Sequence, residues 1–145
     1  MPLTVCLLDV NVLLALVDPI HVHHGAAEDW FEAHATQGWA SCPITENGFV
    51  RILGSPGYAN GPADGAAALN LLRELCAVGG HEFWPDEVSI RQLLPADQLL
   101  SPSQVTDLYL LGLAAHRSSR LATFDRRLRC AAIPGGSDAL ELISA

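Results

Sequence analysis

The 145-residue chain has no lysine; all eight of its cations are arginines, set against sixteen acids, and the formal net charge is -8. The missing lysine argues against chemistries that hold a phosphoryl group with an ammonium, because arginine's planar fork replaces such a point charge imperfectly. The acidic balance argues against a protein coated with basic surface for nucleic acid. Cysteines are few, and Cys6, Cys42, Cys76 and Cys130 stand far apart with no C-x-x-C pair. Neither a zinc site nor a disulfide framework is signalled, and buried free thiols are expected. Long apolar runs are also missing. The charge-free stretch from Val10 to Val17 is far short of the ~20 residues that span a bilayer. The apolar start is not expected to be a secretory signal, since no basic segment precedes it and Asp9 would interrupt it. A cytoplasmic protein with no membrane segment is expected.

What is present suits a layered fold. Half of the residues are hydrophobic and the mean hydropathy is +0.25, and 145 residues suffice for one domain, taken as 1–145, with a substantial core. Apolar runs alternate with segments of helical period, the pattern of βα units around a parallel sheet. Strands are expected at Thr4–Leu8, Trp39–Cys42, Glu82–Trp84 and Leu121–Phe124, with a short fifth at Ala131–Ile133. Helices are expected at Val10–Val17, His23–Ala35, Pro43–Leu53, Ala63–Val78 and from Ser101 to about His116, with a closing helical turn at Asp138–Ile143. Ser101, Pro102 and Gln104 read as a capping box with proline at the first helical position.

Four acids fall at matching places on this map. Asp9 closes the first strand, Glu46 lies in the helix after the second, Asp107 in the second turn of the capped helix, and Asp125 closes the fourth strand. Open parallel sheets bind ligands outside the carboxyl ends of their strands. Each acid has another explanation: Asp9 and Asp125 can cap the turns that follow them, and Glu46 and Asp107 favour a helix dipole. The combination is what informs. Converging carboxylates repel at about 4 kcal/mol for each pair ~4 Å apart near a surface, and Mg²⁺ or Mn²⁺ with hard oxygen ligands relieves that repulsion. Such a site polarises a phosphodiester, activates a water and orients the leaving group, which is nuclease chemistry.

The order and context of these residues resemble the PIN-domain ribonucleases, in particular the VapC-type toxins of bacterial toxin-antitoxin pairs. The matching stretches are LLDVNVLLAL (Leu7–Leu16), Thr45-Glu46 in CPITENGFVRIL, Thr106-Asp107 in SPSQVTDLYLLGLA, and Thr123-Phe124-Asp125 in LATFDRRL. HVHHGAAEDWF (His21–Phe31) is similar to a segment of one branch of the family. The resemblance implies a three-layer α/β/α sandwich with a central four- or five-stranded parallel sheet. It implies Asp9, Glu46, Asp107 and Asp125 as catalytic metal ligands, with Asn11 and Thr123 supporting the metal-bound water or a carboxylate. It also implies RNA cleavage with Mg²⁺ or Mn²⁺, a small antitoxin partner and a homodimer.

RNA affinity in so acidic a chain would come from the local arginines, with Arg126, Arg127 and Arg129 close after Asp125; a solvated helix face is the other reading. His21, His23 and His24 are read as a helix start with exposed imidazoles, because no second His/Cys cluster is obvious. Trp30, Phe31, Trp39 and Phe49 are read as core, or in part as a groove for an antitoxin helix. Two rival readings compete with the nuclease. Asp9-Val10-Asn11 is similar to the opening of haloacid-dehalogenase-like phosphatases, whose chemistry needs the missing lysine. A catalytically silent PIN-like binding module would be expected to have lost acids, and all four are present.

Overall fold

The apolar start of the chain folds as the centre of a sheet. The computed structural model describes residues 4–95 and 100–145. Cys6–Leu8 form β1, buried throughout, as expected of a parallel strand covered on both faces. Asp9 then turns the chain into α1, Val10–Val17. The order continues with α2 (His24–His34), β2 (Trp39–Ser41), α3 (Pro43–Leu53), α4 (Gly65–Cys76) and β3 (His81–Phe83). It closes with α5 (Ile90–Leu93), α6 (Val105–His116), β4 (Arg120–Thr123), α7 (Gly136–Ala139) and β5 (Leu140–Leu142). All pairings are parallel, in the order β3-β2-β1-β4-β5.

Alternation along the strands builds two cores. Leu7, Ala40 and Leu121 face a cluster that includes the buried run Leu108–Ala114 of α6. Cys6, Leu8, Trp39 and Ala122 face the other side, with Leu13 of α1, Phe49 of α3 and Leu72 of α4. The sheet is thus sandwiched between two helical layers, as expected. A helix apolar on all sides must be covered on all sides, and α5 does part of this for α6. A Cβ placed on Gly112 would lie 2.6 Å from Leu93, so glycine lets the two helices meet. Among the described residues no helix is long and apolar enough to cross a membrane.

Several expectations are corrected. The fifth strand is Leu140–Leu142, while Cys130–Ala132 form a 3₁₀ turn. The closing helical turn is shorter and earlier, at Gly136–Ala139. The Ser101 capping box is not formed: Pro102–Gln104 make a 3₁₀ turn ahead of α6, with no side-chain cap. Gln104 instead donates to the carbonyl of Arg127 and accepts from the amide of Arg129, tying α6 to the turn after β4. A real capping box sits at Ser89 and Gln92, opening α5, a helix the sequence pattern does not announce. The thiols are all free, but only Cys6 and Cys42 are buried.

Candidate active site

The strand order places β2 and β4 on opposite sides of β1. The crevice outside the carboxyl ends of β1 and β4 is therefore the topological switch point, where open α/β sheets bind ligands. Asp9 leaves β1 there and is only 5% exposed. Its Oδ1 accepts from the amide of Val10 at 2.8 Å, so it does cap α1. Its Oδ2 accepts from Thr123 Oγ1 at 2.7 Å. The Thr123 hydroxyl also accepts from Asn11 Nδ2 at 3.3 Å and from the amide of Asp125 at 3.1 Å. One donor and two acceptor positions are all used. Thr123, fully buried at the end of β4, thus locks Asp9, Asn11 and Asp125 into one network.

Asp125 also caps the turn after it, accepting from the amide of Arg127 at 2.9 Å. Asp107 comes to the same place from the first turn of α6. Burial pushes its carboxyl up to about 6, and the charges of Asp9 and Asp125 add to the effect. Asp9 is raised as well, chiefly by burial and further by Asp125, while its hydrogen bonds from Thr123 and Val10 oppose the shift. Three carboxylates therefore sense one another in a half-dry crevice. Hard oxygen donors that repel one another fit Mg²⁺ or Mn²⁺.

Glu46, in the first turn of α3, has different partners. Ser41 Oγ donates to its Oε2 at 2.6 Å and stands 2.8 Å from His81 Nε2. The ligand atoms of Glu46, Cys76 and His81 lie within 4.8 Å of one another. Nothing in the sequence singles out Ser41, Cys76 or His81. Cys76 and His81 lie 30 and 35 positions beyond Glu46, a spacing that matches no ligand motif.

Beside the three aspartates opens a cleft of about 740 Å³, lined among others by Asn11, His23, Phe124, Asp125, Arg126 and Arg127. Arg126 and Arg127 are exposed on a turn rather than on a helix face. Arg127 Nε stands 3.8 Å from Asp125 Oδ1, and Arg117 and Arg120 are paired more closely with Glu87 and Glu141. The expected exposed imidazoles are half-buried and engaged: His23 stacks on Phe124 with centroids 4.6 Å apart, and His24 Nδ1 bonds the carbonyl of Ala15. Trp39 and Phe49 are core, with Trp30 and Phe31 packed at its margin.

The profile of the PIN domain family matches residues 6–133 of this chain. The chain belongs to the PIN domain family. It is 46% identical over 133 residues to ribonuclease VapC44 of Mycobacterium tuberculosis, covering 90% of this chain and 93% of that one. It is 42% identical over 131 residues to ribonuclease VapC39 of the same organism, covering 89% and 94%. Among solved structures, that of VapBC2 from Rickettsia felis bound to a promoter DNA fragment superposes with a TM-score of 0.68 over 97% of this chain and 99% of that one. At 14% identity that likeness establishes the shared PIN fold.

Proposed function

We propose that this PIN domain is a VapC-type toxin, an endoribonuclease that hydrolyses RNA phosphodiester bonds with Mg²⁺ or Mn²⁺. The observation that carries the reading is the convergence of Asp9, Asp107 and Asp125 at the switch point, with the Asp107 carboxyl pushed up by burial and further by its two neighbours. Relatives named as ribonucleases, at up to 47% identity, support the same chemistry. A silent binding module has no use for three carboxylates brought to one crevice where each adds to the cost of the others' charge.

Asp9, Asp107 and Asp125 would hold the cation, which supplies a Lewis acid for the phosphodiester and a water of lowered pKa. The chain's own residues prepare that place. Thr123 fixes the Asp9 carboxylate through Oδ2, and Asn11 and the Asp125 amide fix Thr123 in turn. Arg126 and Arg127 face the cleft and bind RNA phosphates, with Arg129 exposed two residues further along the chain. We place the protein in the cytoplasm, as a homodimer held inactive by a small antitoxin. The VapBC2 structure supports the antitoxin partner.

The test is to incubate the purified protein with total RNA and Mg²⁺ or Mn²⁺, with and without EDTA, and to map the new ends. Defined cuts that need the metal are expected; intact RNA, or cutting undiminished by EDTA, overturns the reading. Changing Arg126→Ala together with Arg127→Ala should raise KM and flatten the salt dependence by about 0.7 for each phosphate no longer neutralised. An unchanged slope would make that turn merely solvated.

A further inference from the structure

We propose that Glu46, Cys76 and His81 form a second cation site, selective for Zn²⁺ rather than Mg²⁺. The three ligands come from three separate elements: the first turn of α3, the last residue of α4 and the first residue of β3. Their carboxylate oxygen, thiol sulfur and imidazole nitrogen lie within 4.8 Å of one another. A tetrahedral zinc with bonds of about 2.0–2.3 Å needs ligand atoms about 3.3–3.8 Å apart, and small side-chain rotations close the difference.

The place is built rather than incidental. Ser41, fully buried at the end of β2, sets its hydroxyl 2.6 Å from Glu46 Oε2 and 2.8 Å from His81 Nε2. The indole of Trp39 lies against the imidazole of His81 at 4.5 Å between centroids, two residues before Ser41 on the same strand. Imidazole and Glu46 carboxylate are thus both oriented before any ion arrives. The Ser41 hydroxyl has one proton, which Glu46 takes, so His81 Nε2 is the donor toward Ser41. Zinc binding would move that proton to Nδ1 and free the Nε2 lone pair, while the Cys76 thiol loses its proton to solvent. One carboxylate, one thiolate and a neutral imidazole then cancel the charge of a divalent ion, at the cost of one proton released.

Donor chemistry separates this place from the aspartates. Thiolate and imidazole favour zinc and cobalt, whereas an all-carboxylate set favours magnesium and manganese. Three protein ligands leave a fourth position for Ser41 Oγ or water. A bound zinc ties α3, α4 and β3 together at the edge of the sheet, and so raises the melting temperature.

Co²⁺ titration of the whole protein tests this without depending on the ribonuclease reading. One equivalent should produce tetrahedral visible bands and a thiolate-to-cobalt charge-transfer band, unchanged in Asp9→Asn and absent in Cys76→Ser. His81→Gln should weaken Zn²⁺ binding by more than the roughly 10- to 100-fold seen when a ligand loses an outer hydrogen-bond partner, and abolish the rise in Tm. On the wild-type protein, Zn²⁺ should slow iodoacetamide labelling of Cys76 about tenfold or more and leave Cys130 at its own rate. No charge-transfer band, a band that survives Cys76→Ser, or Cys76 labelling indifferent to Zn²⁺ each overturns the proposal.

Discussion

Two clusters of titratable groups sit against the same sheet, one at the carboxyl ends of β1 and β4 and one beside β2 and the edge strand β3, and have opposite chemistry. At the switch point between β1 and β4, three aspartates are arranged so that the charged Asp107 is destabilised by burial and further by its neighbours. Beyond β2 and β3, Glu46 is instead satisfied by Ser41 and lies with a thiol and an imidazole. The first place gathers three carboxylates whose hydrogen bonds relieve their charge only in part, so a cation or protons would relieve it further. The second has its carboxylate already paired and gains from an ion only by giving up a proton. A parallel sheet delivers side chains to one edge by topology alone, but what each crevice can bind is decided by the donors that meet there.

The largest effect should come from breaking the first cluster. Asp9→Asn removes a charge from the trio but keeps a good helix cap, since asparagine caps as well as aspartate. Cleavage should fall by about 10³-fold or more, because the cation supplies several kcal/mol of transition-state stabilisation and each 1.36 kcal/mol is tenfold. The circular dichroism spectrum should be unchanged. A variant with more than a tenth of the wild-type rate would remove Asp9 from the ligand set.

A smaller loss is expected from the brace. Thr123→Val keeps the shape but leaves Asp9 Oδ2, Asn11 Nδ2 and the Asp125 amide short of a partner. Denaturant unfolding should show a loss of about 1–3 kcal/mol. The cleavage rate should drop about 10- to 100-fold, as when an outer partner of a metal ligand is removed. Full activity would reduce Thr123 to a packing residue.

The aspartates are legible in the sequence because apolar runs announce β1 and α1, and because Asp125 comes two residues after the apolar strand that ends at Thr123. The second cluster is not. Its ligands are scattered, and although a strand is legible at Glu82–Trp84, the observed β3 starts at His81, so the imidazole falls outside the segment the sequence marks. Short length misleads at β5: the apolar triplet Ala131–Ile133 reads as a strand, while the real one lies several residues later, at Leu140–Leu142. Ser101 shows the converse failure: the right residues for a cap are present, but Gln104 finds better partners in the backbone of Arg127 and Arg129.

The pH dependence sharpens the contrast further. In the fold the Asp107 carboxyl titrates near 6 rather than at its ordinary 3.8, so between those values the folded state binds more protons than the unfolded one. Its contribution to stability therefore falls as pH rises through that window. In EDTA, the Tm of the wild type relative to Asp107→Asn should decline from pH 4 to pH 6. Saturating Mg²⁺ should remove the decline, because the cation favours the ionised carboxylate. A difference that is flat in EDTA would mean that neither burial nor its neighbours raise the Asp107 carboxyl in the fold.

The smallest effect is the most discriminating. Glu46→Gln leaves the three aspartates and the Thr123 brace untouched, and glutamine can still accept from Ser41. If the cation rests on the aspartate trio, Mg²⁺-dependent cleavage should change less than about tenfold, below the cost of losing a stabilising donor at a reacting centre. Zn²⁺ should then stabilise the variant less than the wild type. If cleavage instead collapses as far as in Asp9→Asn, Glu46 is a fourth ligand of the nuclease, and its bond to Ser41 must break for the enzyme to act. Since Ser41 is fully buried and bonded to His81 as well, that switch would couple the second cluster to catalysis, and His81→Gln would then change the rate along with zinc affinity.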